Sequence, residues 1–117
     1  MKIPGPDHPI AIAPTKGRVV VKAGGRVLAD SRAALSLREA SYPPVQYIPR
    51  TDADMSLLRP STHTTHCPYK GDCSYFDIVG GAANAVWSYE QPFPAVAEIA
   101  GHLAFYPNRV ESIETIP

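Results

Sequence analysis

Proline restricts this chain more than any other residue. Thirteen of its 117 residues are proline, and they recur every few positions along much of the sequence. Each one fixes φ, removes a backbone N–H and costs about 3 kcal/mol in a helix interior. A long helical bundle is therefore disfavoured. With 44% of residues hydrophobic and 19% charged, there is enough apolar side chain for a core, and the length suits one domain. Eleven basic residues cancel eleven acidic ones. Binding to nucleic acid through bulk positive charge needs an excess of Lys and Arg, so no nucleic-acid partner is expected. No apolar run reaches membrane-spanning length, and no membrane partner is expected. The opening Met1–Pro6 lacks an apolar signal-type run. The expectation is a cytoplasmic protein with Cys67 and Cys73 both reduced.

Residues 1–17, with Pro4, Pro6, Pro9 and Pro14, read as a Pro/Gly-rich extended arm, with Ile10 and Ile12 tucked against a single domain over 18–117. Arg18–Ala23 and Arg26–Asp30 flank Gly24-Gly25 and predict a hairpin, because primed two-residue turns need φ > 0. Ser31–Glu39 fits a short helix or a strand. Val45–Ile48 reads as a short strand stopped by Pro49, Asp52–Leu58 as one helical turn capped by Thr51 or Asp52, and Pro60–His66 as a polar loop. A second hairpin is expected at Ser74–Val79 and Ala82–Tyr89 around Gly80-Gly81. A two-residue turn there sets Ile78 opposite Ala83 and Phe76 opposite Ala85. Phe76, Ile78, Ala83, Ala85, Trp87 and Tyr89 then share one face, a pattern that a one-residue slip would reverse. Ala95–Ala100, behind Pro94 and before Gly101, is the best helix candidate. His102–Tyr106 and Val110–Ile113 are expected to be closing strands.

Chemistry concentrates in His63–Tyr75, which holds two His, both Cys, Lys70 and Asp72. Cys67, beside His66 and near Lys70, has the neighbours that lower a thiol pKa, so it is a candidate nucleophile; its alternative is a small buried hydrophobe. His63, His66, Cys67 and Cys73 could supply four metal ligands. However, zinc sites favour paired Cys-x-x-Cys knuckles, and here five residues separate the cysteines, so no metal and no cofactor are expected. A Cys67–Cys73 bridge would act as a redox switch. Lys70-Gly71 lacks the upstream glycine and following hydroxyl of a phosphate loop. His8 and His102 stand alone. Most aromatic residues, Tyr106 among them, cluster around the expected strands, where tyrosine and tryptophan suit core and pocket walls alike.

Several strings together resemble a known family. They are Tyr47-Ile48-Pro49-Arg50, Thr65-His66-Cys67-Pro68-Tyr69-Lys70-Gly71-Asp72, Ser74-Tyr75, Ala85-Val86-Trp87-Ser88-Tyr89-Glu90 before Pro92, and Gly101-His102-Leu103-Ala104-Phe105-Tyr106. The chain is similar, over about residues 18–114, to the bacterial and fungal family called domain of unknown function 427, also labelled nucleotidyltransferase-like. The resemblance implies a mainly β fold: two antiparallel sheets in a β-tent arrangement, with one or two short helices. That architecture is shared with methionine-R-sulfoxide reductases, glutathione-dependent formaldehyde-activating proteins and the drug-binding domain of cereblon. Many of these carry zinc on two Cys-x-x-Cys knuckles, which are absent here, so the zinc is not carried over. They hold small ligands in an aromatic-lined cleft between the sheets. Cys67, Lys70, Gly71 and Tyr75 match the family motif; Cys73 stands where the family usually has a small residue.

The expected function is that of an uncharacterised small-molecule-binding domain, with or without catalysis. Tyr47, Arg50, Tyr75, Trp87 and Tyr89 are the candidate ligand-binding residues. Cys67, Lys70 and Asp72 are the candidate catalytic residues, with Arg50 and Lys70 supplying charge to a polar or anionic metabolite. The alternative is a non-catalytic module that accepts a peptide or protein in the aromatic groove. Open sheet edges would also allow a homodimer. A nucleotidyltransferase ranks third, because Asp72 and Asp77 are the only nearby carboxylate pair and no phosphate cradle accompanies them.

Overall fold

The computed structural model describes residues 1–117. Ten strands make up three antiparallel sheets. The first contains β1 (Ile10–Pro14), β4 (Leu35–Glu39) and β5 (Val45–Tyr47) in the order β1-β4-β5. The second contains β2 (Arg18–Ala23), β3 (Arg26–Ser31) and β10 (Ser112–Ile116), ordered β10-β2-β3. The third runs β6-β7-β8-β9, formed by Leu58–Cys67, Gly71–Ile78, Val86–Ser88 and Ala104–Phe105. The chain is thus mainly β, with three sheets where two were expected. A single bridge, Ile48 with Leu103, joins the first sheet to the third through reciprocal N–H···O bonds of 2.8 Å. No helix is long and apolar enough to cross a membrane.

The first hairpin forms as its glycines dictate. Ala23 faces Arg26 across Gly24 and Gly25, whose φ values of 58° and 74° are those of a primed turn. β2 lies in the middle of its sheet, which explains its run of valines, with Val19, Val20 and Val21 all buried. The presumed arm is more than an arm: its second half is strand β1, paired along β4 with Ile12 opposite Leu37. That pairing also resolves Ser31–Glu39 in favour of a strand. The presumed polar loop 60–66 lies within β6, the edge strand of the third sheet. Hydrophilic composition concealed it, because an exposed edge strand needs no apolar alternation and the β-branched Thr62, Thr64 and Thr65 suit extended backbone. The turns at Arg50–Asp52, Met55–Leu57 and Pro94–Ile99 are all 3-10; Asp54 caps the second, and a non-helical Val96 interrupts the third. The helix expected over 95–100 is thus two short 3-10 stretches that meet at Val96, and beyond them the Gly101 N–H bonds to the Tyr89 carbonyl at 3.0 Å.

The second hairpin departs from its expected register by one residue. Phe76 faces Val86 and Tyr75 faces Trp87. The connection is not a two-residue turn. Gly81 N–H bonds to the Ile78 carbonyl, Asp77 Oδ1 accepts Asn84 N–H at 2.8 Å, and Asn84 adopts φ 50°. This longer loop moves every following residue by one, and the two faces exchange partners. Phe76, Ile78 and Val86 join a core with Val19, Val21 and Leu28 of the second sheet. Cys73 and Tyr75 belong to a second core, with Leu37 and Tyr47 of the first sheet and with Val96 and Ile99; Trp87 packs against it. The third sheet therefore separates two cores, and the aromatic residues of the second line the site.

Candidate functional site

A cleft of about 410 Å³ opens between the first and third sheets. Leu37, Glu39 and Tyr47 come from one side; Lys70, Tyr75, Trp87 and Tyr89 come from the other, with Tyr106 and Pro107 at the rim. The volume lies within the usual range for small-ligand pockets. Alternation along β7 and β8 aims Tyr75 and Trp87 to this side, while their neighbours Phe76 and Val86 face the other core. The Trp87 indole N–H donates to Tyr47 Oη at 3.2 Å, and its ring packs 4.4 Å from that of Tyr106. Tyr75 Oη shares a 2.9 Å hydrogen bond with Thr65 Oγ1.

Lys70 is the charged member of the wall. Only 7% of its surface is exposed. Its ammonium donates to Glu39 Oε1 and lies 5.8 Å from the centroid of the Tyr89 ring. Glu39 Oε2 accepts a second hydrogen bond, from His8 Nε2 at 2.7 Å. Burial alone would raise the Glu39 pKa, but the hydrogen bonds from Lys70 and His8 outweigh it and hold the carboxyl below its ordinary value. The segment carrying Lys70 is pinned on several sides. Phe93 N–H bonds to the Lys70 carbonyl at 3.0 Å, Lys2 N–H bonds to the Pro68 carbonyl at 2.7 Å, and the His8 ring stacks on Tyr69 at 4.0 Å. Burial pushes the phenols of Tyr47, Tyr75 and Tyr89 well above their ordinary pKa, so all three stay protonated at neutral pH.

Five of the eight residues singled out from the sequence meet here: Tyr47, Lys70, Tyr75, Trp87 and Tyr89. Arg50, Cys67 and Asp72 do not line the cleft. Arg50 is occupied structurally, donating to Glu90 at 2.6 Å, to Ser88 and to the Gly101 carbonyl, while its guanidinium lies over the Phe76 ring. Asp72 accepts from His66 Nδ1 on the outside of the β6–β7 hairpin, with 90% of its side chain exposed. Cys67 is half-buried against the second core, and Lys70 turns its ammonium to Glu39 rather than being left to activate a thiol. Both thiols are free. Burial pushes the Cys73 thiol up, away from reactivity.

Sequence reasoning missed Glu39, His8 and Tyr106. Glu39 ended a stretch that read equally as helix or strand, and His8 sat in an arm with no assigned partner. Pairing of β1 with β4 brings His8 and Glu39 together, a long-range contact that no local pattern reveals. Tyr106 carried one available signal, its place beside Phe105 in the aromatic set.

No group of three or more His, Cys, Asp or Glu is arranged to hold a metal ion. Asp72 and Asp77 stand five positions apart on β7. At about 3.3 Å per residue they are roughly 16 Å apart and on opposite faces, so they cannot share a cation. No curated protein matches the chain. The family model described as Domain of unknown function (DUF427) matches residues 11–115. That match takes in all ten strands save Ile10 and Ile116 at its ends, together with every wall residue of the cleft, and the chain belongs to this family.

Proposed function

We propose that the cleft between the first and third sheets binds a small molecule through a hydrogen-bond-accepting group, of which a carboxylate is the fitting example. The observation that carries this reading is the buried Lys70 ammonium in an aromatic wall. An ammonium has three N–H donors, and Glu39 takes one. The protonated phenols of Tyr47 and Tyr89 add O–H groups to the lining of the same cleft, one from each side. An aromatic cage next to a carboxylate would otherwise suit a cation. Here both Glu39 oxygens are already taken, by Lys70 and by His8, so no free carboxylate is left for a second cation. The β-tent description fits a cleft placed between two sheets, and two free thiols fit a reducing, cytoplasmic setting. A nucleotidyltransferase is not supported by the separation of Asp72 and Asp77, whatever the family label suggests.

A thermal-shift screen sorted by chemical class tests the reading. At a hundred times its Kd, a carboxylate ligand should raise the Tm by roughly 10 °C. Lys70→Met should remove that increment, measured relative to the variant's own Tm. Ligands that act only as amines, or an increment unchanged by Lys70→Met, would overturn the reading.

A further inference from the structure

Next to the first cleft lies a second, of about 390 Å³. It opens between the second sheet and the junction of β5 with β9, where Val21, Ile113 and Thr115 face Ile48 and Phe105. The two clefts share Pro44, Val45, Trp87 and Pro107. The reason is local. Beside β9, β5 is held by the single Ile48–Leu103 bridge, and neither strand continues the ladder toward Val45 and Pro107. The half-buried Trp87 side chain sits in that gap and borders both spaces.

The clefts differ in chemistry. The first contains Lys70 and Glu39. The second has no charged residue; its polar members are Gln46 and Thr115. Gln46 is drawn away by the first sheet, where Oε1 accepts from Thr15 Oγ1 at 2.5 Å and Nε2 donates to Ser36 Oγ at 2.9 Å. A polar end and an apolar end thus meet across one indole.

We infer that the occupant is an amphipathic carboxylate, with its head at Lys70 in the first cleft and an apolar tail passing Trp87 into the second. The inference rests on the reading of the first cleft as an acceptor site, and it adds the tail. Charge selects the direction: burying a carboxylate among Val21, Ile48, Phe105 and Ile113 would be strongly unfavourable, whereas the Lys70 end offers donors.

Trp87 is the only tryptophan, so its fluorescence reports on the wall between the clefts. Straight-chain monocarboxylates from acetate to decanoate, with the matching alcohols and amines, are the probes. Each added methylene that enters the second cleft should tighten Kd by about fourfold, until the cleft is full and the trend levels off. Amines of equal length should bind far more weakly. Thr115→Asp, which puts a charge on the β10 side of the second cleft, should flatten the chain-length trend. Carboxylates that all bind with one affinity, or a trend unchanged in Thr115→Asp, would overturn the tail assignment and leave the acceptor reading intact. Alcohols binding as tightly as acids would overturn the head assignment. Absence of any carboxylate binding would overturn both.

Discussion

Removing the Lys70 ammonium tests the geometry of the site through stability alone, without knowledge of the ligand. Lys70→Met keeps an apolar side chain of similar length and deletes the ammonium that lies over Tyr89 and bonds Glu39. Glu39 then remains largely buried, with 16% of its side chain exposed, and only His8 opposite it. Breaking a buried ion pair from one side costs about 3–5 kcal/mol, because the remaining charge has lost its partner. The surviving His8 bond puts this case at the lower end, about 3 kcal/mol, a large part of the 5–15 kcal/mol typical of a small domain. With a urea m-value of about 1.5 kcal/mol/M, the midpoint should fall by about 2 M at pH 7. Replacing both partners, Lys70→Met with Glu39→Leu, should recover most of the loss, since an apolar pair of similar volume is often no worse than a buried ion pair. Glu39→Leu alone leaves the buried Lys70 ammonium unpaired and should cost a similar amount, so the coupling from the double-mutant cycle should be about 5 kcal/mol. The pH dependence has a definite sign. Glu39 has a lowered pKa in the fold. Its contribution is therefore complete above the ordinary glutamate value near 4.3 and declines as the pH falls through the lower folded value. The gap between wild type and Glu39→Gln should narrow below about pH 4. A single-mutant loss under about 1 kcal/mol, or simple additivity in the double mutant, would refute the buried-pair account.

Three further outcomes follow from the same packing. Arg50→Ala should lower stability by about 1–2 kcal/mol through its lost bonds to Glu90, Ser88 and Gly101, yet leave Trp87-detected ligand affinity unchanged; a selective loss of affinity would return Arg50 to the site. Iodoacetamide should alkylate half-buried Cys67 well before Cys73, whose thiol is buried and shifted up; mass spectrometry showing Cys73 modified first in native protein would contradict the packing. Gly71→Ala should destabilise by about 1–2 kcal/mol, because Gly71 closes the β6–β7 hairpin at φ +105° while its pro-Cβ direction meets only ordinary contacts near Phe93; an unchanged urea midpoint would show that the turn relaxes freely.

The sequence exposed those parts of the fold whose causes are local. Gly24-Gly25 between two β-branched runs specifies a hairpin by backbone sterics alone, and the structure has it. At Gly80-Gly81 the same reasoning reached a hairpin but not its register. Two glycines permit a tight turn without requiring one, and the interactions that lengthen this loop are particular: the Asp77 carboxylate on Asn84 N–H, Ser61 Oγ–H donating to Asn84 Oδ1 and Arg109 donating to the Asn84 carbonyl. Two of these partners come from distant segments, so no window around the turn contains the information. The slip it produces exchanges Phe76 for Tyr75 on the cleft side, and with it the composition of a whole face.

The wall of the site was legible for a different reason from its charge balance. Tyr47, Tyr75, Trp87 and Tyr89 share a chemistry that suits pocket walls, and they lie in strands, so residue type alone located them. Lys70 stood out as a charged residue within a motif, and the nearest explanation in sequence was the thiol of Cys67. In space the nearest partner is Glu39, 31 positions away, delivered by β4 and completed by His8 from the segment leading into β1. A buried ammonium needs a compensating charge somewhere, because its desolvation is too unfavourable to leave unmet. Had Lys70 been read as buried from its hydrophobic and aromatic surroundings, the search for a carboxylate would have covered the acidic residues on every expected strand. Of these, Glu39 and Asp77 lie on strands facing the aromatic set, and Asp77 is committed to its own turn. The partner was therefore recoverable in principle by charge compensation, even though no motif contained it.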